Sequence, residues 1–171
     1  NFYINMMEGG FSKVQNVYID GNKDFDDRFY LSIMEGKRGA LHDQGFFLEQ
    51  DFVEYKKLMQ SKLKENGYVL SEVRGPYTKF IKDSQYVDVS YKVHEGTIVY
   101  VDKINYGFSI DELGDSFLFK LKNKETHVYQ PGSLISDRDL LLKTAKSKGF
   151  FFAKIKDTNR SLTEFSNNYE T

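Results

Sequence analysis

The sequence predicts an α+β protein built from a β-α-α-β-β unit that occurs twice. Three observations carry this. Two short anchors recur in the same order: Met7-Glu8-Gly9 is echoed by His94-Glu95-Gly96, and Asn66-Gly67-Tyr68 by Lys148-Gly149-Phe150. Each copy of the first anchor precedes a β-rich run, and each copy of the second closes a stretch of helical periodicity. Between them, Val87, Val89, Tyr91 and Val93 alternate with Asp88, Ser90 and Lys92, a period of two that buries one face of a strand and wets the other.

The first copy opens with Val14-Gln15-Asn16-Val17-Tyr18-Ile19, residues that suit a half-buried strand. Asp20-Gly21-Asn22 supplies a turn, and Asp24 is placed to cap a helix by accepting from its free first-turn amides. Phe25, Phe29 and Ile33, with Tyr30 and Met34, give that helix an apolar face. A Gly-containing loop runs from Gly36 to Gly45. Asp51 with Glu54 resembles a capping box for a second helix, whose Phe52, Tyr55, Met59 and Leu63 face one way. Asn66-Gly67 ends it, as Gly commonly does just past a helix C-terminus. A strand from Tyr68 to Val73 follows, broken at Gly75-Pro76, and the alternating strand completes the copy.

The second copy reads the same way. Val99 to Ile104 is a strand, and Ser109-Ile110-Asp111-Glu112 is a capping box. Leu113, Phe117 and Leu121 share a helix face. A second helix opens at Ser136 and Asp139, carries Leu140, Leu141 and Ala145, and closes at Lys148-Gly149. Phe150 to Ile155 is the next strand. The division expected is residues 1–9 as the last strand of a preceding repeat, 10–94 as one full repeat, and 95–171 as a second repeat. By the spacing of the first copy, the second repeat's last strand begins near Tyr169, so it is cut short. The strand at residues 2–7 is expected to fill that vacancy, because an open edge recruits a strand.

Composition narrows the function classes. Net charge is −1 with a pI near 6.4, without the basic excess of a nucleic-acid binder. With no Cys, disulfides and thiolate metal sites are excluded. His42, His94 and His127 lack the spacing of a zinc site, no Gly-x-Ser-x-Gly elbow marks a nucleophile, and Gly36-Lys37-Arg38-Gly39 lacks the phosphate-loop pattern. An enzyme is not expected, and neither is a cofactor or a metal.

The repeated β-α-α-β-β unit with a strand, Glu-Gly, strand joint resembles the POTRA family. The matching stretches are Val87 to Gly96 with Val101-Asp102-Lys103-Ile104, and the helix ends Lys64-Glu65-Asn66-Gly67-Tyr68 and Lys146-Ser147-Lys148-Gly149-Phe150. The resemblance implies a three-stranded mixed sheet with two helices on one face. It further implies periplasmic modules that precede a membrane β-barrel in outer-membrane protein assembly factors of the BamA type, with TamA the nearby alternative. The long loop between the first copy's helices is similar to the third POTRA of BamA proteins, which makes the second copy similar to the fourth. Tyr106-Gly107-Phe108, where the first copy has Asp20-Gly21-Asn22, departs from the usual form.

The partners implied are unfolded outer-membrane proteins and accessory lipoproteins, with a covalently joined barrel absent from this sequence and no nucleic acid. The location implied is the periplasmic face of the bacterial outer membrane. Client strands would pair with the strand after the second helix of each repeat: Tyr68, Val69, Leu70, Ser71, Glu72 and Val73 in the first, and Phe150, Phe151, Phe152, Ala153, Lys154 and Ile155 in the second. Such β-augmentation draws its affinity from main-chain hydrogen bonds, which suits a factor with many clients. Three consecutive Phe cannot all face one core, so at least one is expected to point outward. Two alternatives stand beside this: a KH-like RNA-binding domain using Gly36-Lys37-Arg38-Gly39, and a passive structural spacer.

Overall fold

The computed structural model describes residues 10–35, 45–106 and 115–155. The expected N-terminal strand at residues 2–7, the Gly36–Gly39 loop, the Ser109–Glu112 capping box and the region of Tyr169 lie outside them. The described residues fall into two compact units. The first takes in Asn123–Gly132 besides the residues up to Ile104, and the second takes Asn105–Lys122 and the residues from Ser133 on.

The first unit holds β1 (Lys13–Asp20), α1 (Asp27–Glu35), α2 (Glu49–Glu65), β2 (Glu72–Ile81) and β3 (Tyr86–His94). The strand order is β1-β3-β2, with β3 parallel to β1 and antiparallel to β2. This is the α+β, mixed three-stranded arrangement the sequence predicts, with both helices against one face. The described residues show one such repeat.

Each element follows from its side chains. In β3, Val87, Val89, Tyr91 and Val93 are buried and the intervening residues are not. In β1 the core residues are Val14, Val17 and Ile19, and the odd spacing between Val14 and Val17 is absorbed by a bulge at Gln15. In α2, Phe52, Tyr55, Met59 and Leu63 are fully buried at helical spacing. Burying a side chain of this size contributes about 1.5–3 kcal/mol. Tyr30 and Met34 supply the α1 side of the same core.

Several local expectations are corrected. The cap of α1 is Asp26, whose Oδ1 accepts from the Phe29 N–H at 3.0 Å, and not Asp24. Helix α2 starts two residues before Asp51 and has no side-chain cap at Leu48. Glu49 and Asp51 instead place negative charge in its first turn. Gly75-Pro76 does not break the strand after α2. It forms a bulge in β2 opposite Tyr91, where a Cβ on Gly75 would stand 2.9 Å from the Ser90 carbonyl oxygen. Tyr68–Ser71 forms a turn, and the strand begins only at Glu72.

Between Val99 and Ile104 the predicted strand reduces to a bridge of Tyr100 with Val128. The ladder is short: the Val101 N–H donates to His127 O at 2.8 Å and the Tyr129 N–H to Val99 O at 2.8 Å. Buried Asn123 staples the returning arm by donating to Gln130 O and accepting from its N–H.

The second unit contains a 3-10 helix (Asp115–Lys120) where an α-helix through Leu121 was predicted, and α3 (Leu134–Ser147), which starts two residues before Ser136. Phe117, Leu121 and Ala145 form its small core, and Asp137 accepts from the Lys122 N–H at 2.8 Å. Phe150 to Ile155 is not a strand. Its first residues turn after α3, and no described strand lies beside them to supply a ladder.

Candidate functional site

The sheet has two outer strands, and their edges differ. At its start β1 is covered: the Val14 N–H donates to Gly45 O at 2.8 Å, and the Phe47 N–H donates to Ser12 O at 2.9 Å. Strand β2 pairs only with β3 among the described residues. Its outer edge is occupied at one place. The Gln60 carboxamide, projecting from α2, donates through Nε2 to Ser71 O and accepts from the Val73 N–H at 3.3 Å. Pro76, without an N–H, interrupts the next stretch. The edge beyond runs from Tyr77 to Ile81.

Side chains around that edge are suited to an added strand. Tyr77 and Phe80 are both half exposed, and Phe80 also meets Phe47 edge-to-face at 6.2 Å. Tyr77 and Tyr18 flank Ser90 across the three strands on the face away from the helices. Near the start of β2, the Arg74 guanidinium grips Glu72 with two hydrogen bonds of 2.8 Å and lowers its carboxyl pKa. The Ser71 hydroxyl is buried and has no hydrogen-bond partner among the described residues.

Of the residues assigned from sequence, Glu72 and Val73 alone lie in β2. Tyr68 is 6% exposed, and its hydroxyl donates to Asp24 at 2.9 Å, which makes it a core residue. That bond and burial push the Tyr68 pKa up to about 12, burial being the larger cause. Leu70 is exposed, and Ser71 is held by Gln60. Phe150, Phe151 and Phe152 are 44%, 72% and 94% exposed, so the outward-facing Phe expected from sequence is observed.

The Glu-Gly joint proves to be a clamp. Glu95, 4% exposed, accepts from the N–H groups of Lys23 (2.9 Å), Asp24 (2.7 Å) and Phe25 (3.3 Å) and from the Tyr30 hydroxyl (2.6 Å). Burial alone would raise its pKa. The four donors outweigh burial and hold it below the ordinary glutamate value. The same burial, with the bond to Glu95, raises the Tyr30 hydroxyl pKa far above its usual range. The carboxylate thus pins the loop between β1 and α1 to the end of β3. Sequence reading finds Glu95 as an anchor but misses Gln60, because a glutamine on a helix carries no spacing signal.

Among the described residues no group of three or more His, Asp or Glu is placed to hold a metal, and no helix is long and apolar enough to cross a membrane.

The family described as "POTRA: Surface antigen variable number repeat" matches residues 12–96. No curated protein matches the chain. Among solved structures, the chain is similar to Haemophilus influenzae BamA POTRA3-5, with 15% identity and a TM-score of 0.49, over 81% of this chain and 51% of that one. It is also similar to Haemophilus influenzae BamA POTRA4, with 16% identity and a TM-score of 0.42, over 52% of this chain and 97% of that one. The N-terminal domain of Omp85 from Thermosynechococcus elongatus shows 13% identity and a TM-score of 0.38, over 77% of this chain and 55% of that one. The chain therefore spans about half the length of the POTRA3-5 structure. Residues 12–96, which hold the sheet, its two helices and the Glu-Gly joint, belong to the POTRA family.

Proposed function

We propose that the chain is a periplasmic scaffold and polypeptide-binding region of a BamA-type outer-membrane protein assembly factor. It takes client strands by β-augmentation and docks accessory lipoproteins, in a protein whose membrane β-barrel lies elsewhere. The observation that carries this reading is the outer edge of β2 from Tyr77 to Ile81, which pairs with no other strand among the described residues and is lined by half-exposed Tyr77 and Phe80. A paired client gains about 0.5–1.5 kcal/mol net per hydrogen bond, so one edge binds weakly and several modules add avidity. Glu72 and Val73 belong to the same strand, but the Val73 N–H is held by Gln60, so the client pairs at Tyr77–Ile81. Phe150, Phe151 and Phe152 enter the proposal as an exposed apolar contact for a client or docking protein, with Ala153, Lys154 and Ile155 beside them.

The test is an NMR titration with a peptide of about ten residues, the length of one barrel strand, and single-stranded RNA as control. The expected result is amide shifts concentrated on β2, with RNA silent. A β2 that stays unperturbed by the peptide overturns the proposal. The partial cover on both edges favours the passive spacer as the second reading, and it predicts that same silence.

A further inference from the structure

We infer that Gln60 is an intramolecular stop that sets where a client strand can pair along β2. This rests on the reading of β2 as the client edge.

A strand added to an edge satisfies outward-facing backbone groups with its own amides. Gln60 already does this for two groups. Its side chain carries the donor and acceptor of a peptide unit, and the two point at Ser71 O and the Val73 N–H, alternate residues of one edge. A client strand running past Val73 would need those same two groups. The carboxamide is tethered to α2, on a turn whose next residue toward the N-terminus, Met59, is fully buried, so its position is fixed by the core and not by chance rotation. It competes as a local group, with no loss of translational freedom, and a free peptide must displace it.

The chain between the stop and the free edge reinforces it. Gly75-Pro76 bulges, and Pro76 offers no N–H. A client is thereby confined to Tyr77–Ile81, where Tyr77 and Phe80 are half exposed, and cannot slide toward the turn at Tyr68–Ser71. Confinement fixes register, which a uniform row of backbone groups would leave undefined. The corner at Ser71 is buried beside the carboxamide. Removing the carboxamide exposes that corner to an incoming strand.

The experiment compares the chain with its Gln60→Ala and Gln60→Leu variants, titrating each with the barrel-strand peptide of about ten residues. Gln60→Leu keeps the side-chain bulk and guards against a packing defect. In the unaltered chain, amide shifts are expected at Tyr77–Ile81 and not at Ser71 or Val73. In both variants the footprint extends to Ser71 and Val73, and affinity rises about two- to tenfold, as for one added hydrogen bond. An identical footprint and affinity in all three proteins overturns the stop while leaving the client edge standing. Shifts at Ser71 and Val73 already present in the unaltered chain also overturn it. Absence of shifts on β2 in all three overturns the client edge and the stop together.

Discussion

The stretches that follow α2 and α3 are built alike for six residues and then part. In both, the helix ends on a glycine with positive φ, +90° at Gly67 and +97° at Gly149. The next residue reaches back to the last turn, Tyr68 N–H to Leu63 O at 3.0 Å and Phe150 N–H to Ala145 O at 3.1 Å. The turn after it repeats too: Ser71 N–H bonds Tyr68 O at 3.1 Å, and Ala153 N–H bonds Phe150 O at 3.0 Å. After that, one chain enters β2 and the other enters no strand through Ile155. The shared part needs only its own residues, since a glycine cap and its hydrogen bonds are local. The divergent part needs a neighbour. Glu72 onward has β3 beside it, and Tyr68 has the loop held by Glu95.

The largest loss is expected where the loop beside the first stretch is anchored by Glu95. Glu95→Ala leaves the amides of Lys23, Asp24 and Phe25 and the Tyr30 hydroxyl without their acceptor and is expected to cost about 3–5 kcal/mol in the first unit. Urea denaturation followed by circular dichroism measures this, and the amide signals of residues 148–153 should hold their positions in the absence of urea. A loss under about 1 kcal/mol would mean the clamp is not what holds the loop.

Glycine substitutions after the two helices have the next largest effect. Gly67→Ala and Gly149→Ala both meet the cost of a side chain at positive φ, about 1 kcal/mol. At Gly67 the new Cβ would also lie 2.3 Å from Val128 Cγ1 and 3.1 Å from Ile98 Cγ2, whereas at Gly149 no described residue lies within 4 Å. Overpacking adds about 1–3 kcal/mol, so Gly67→Ala should be the costlier by that margin in thermal unfolding. Equal losses would show that the Val128 contact yields freely.

Tyr68→Phe removes the bond to Asp24 and should cost about 1 kcal/mol. Because the Tyr68 pKa is raised in the folded state, its contribution is complete below the unfolded value of 10.0 and fades as pH climbs toward about 12. Stability measured across that interval should therefore fall less steeply in Tyr68→Phe than in the parent chain. Glu95 acts with the opposite sign: its lowered pKa gives stability that is present above the ordinary carboxyl value and lost as pH drops below it. Glu95→Gln should flatten that acid limb. The smallest effect is expected at Phe152, where Phe152→Ser should shift stability by no more than about 0.5 kcal/mol. Calorimetry reading a larger loss would place the ring in a core.

What the sequence discloses follows the same division between local and distant causes. Helix ends at Gly67 and Gly149, the apolar face of α2 and the alternation of β3 are written in neighbouring residues and are legible. The cap at Asp26 instead of Asp24 is a choice among three nearby aspartates that spacing cannot make. Strand β2 is misjudged because Gly75-Pro76 normally ends a strand, and only Tyr91 opposite it reveals a bulge. Gln60 is silent in the sequence, since its meaning depends on Ser71 and Val73 arriving beside it. Phe150–Ile155 reads as a strand because it has strand-forming side chains, but propensity does not supply a partner.

The parallel pairing of β1 with β3 bears on how the unit carries load. The chain enters at Lys13 and leaves at His94, and seven register pairs join these two strands side by side. Tension applied to the chain on either side of the unit pulls the start of β1 one way and the end of β3 the other. That geometry shears the whole ladder at once instead of unzipping it rung by rung. Glu95, immediately past His94, ties the exit point back to the loop at Lys23–Phe25. Pulled from the two ends of its sheet, the repeat is expected to resist until many bonds fail together.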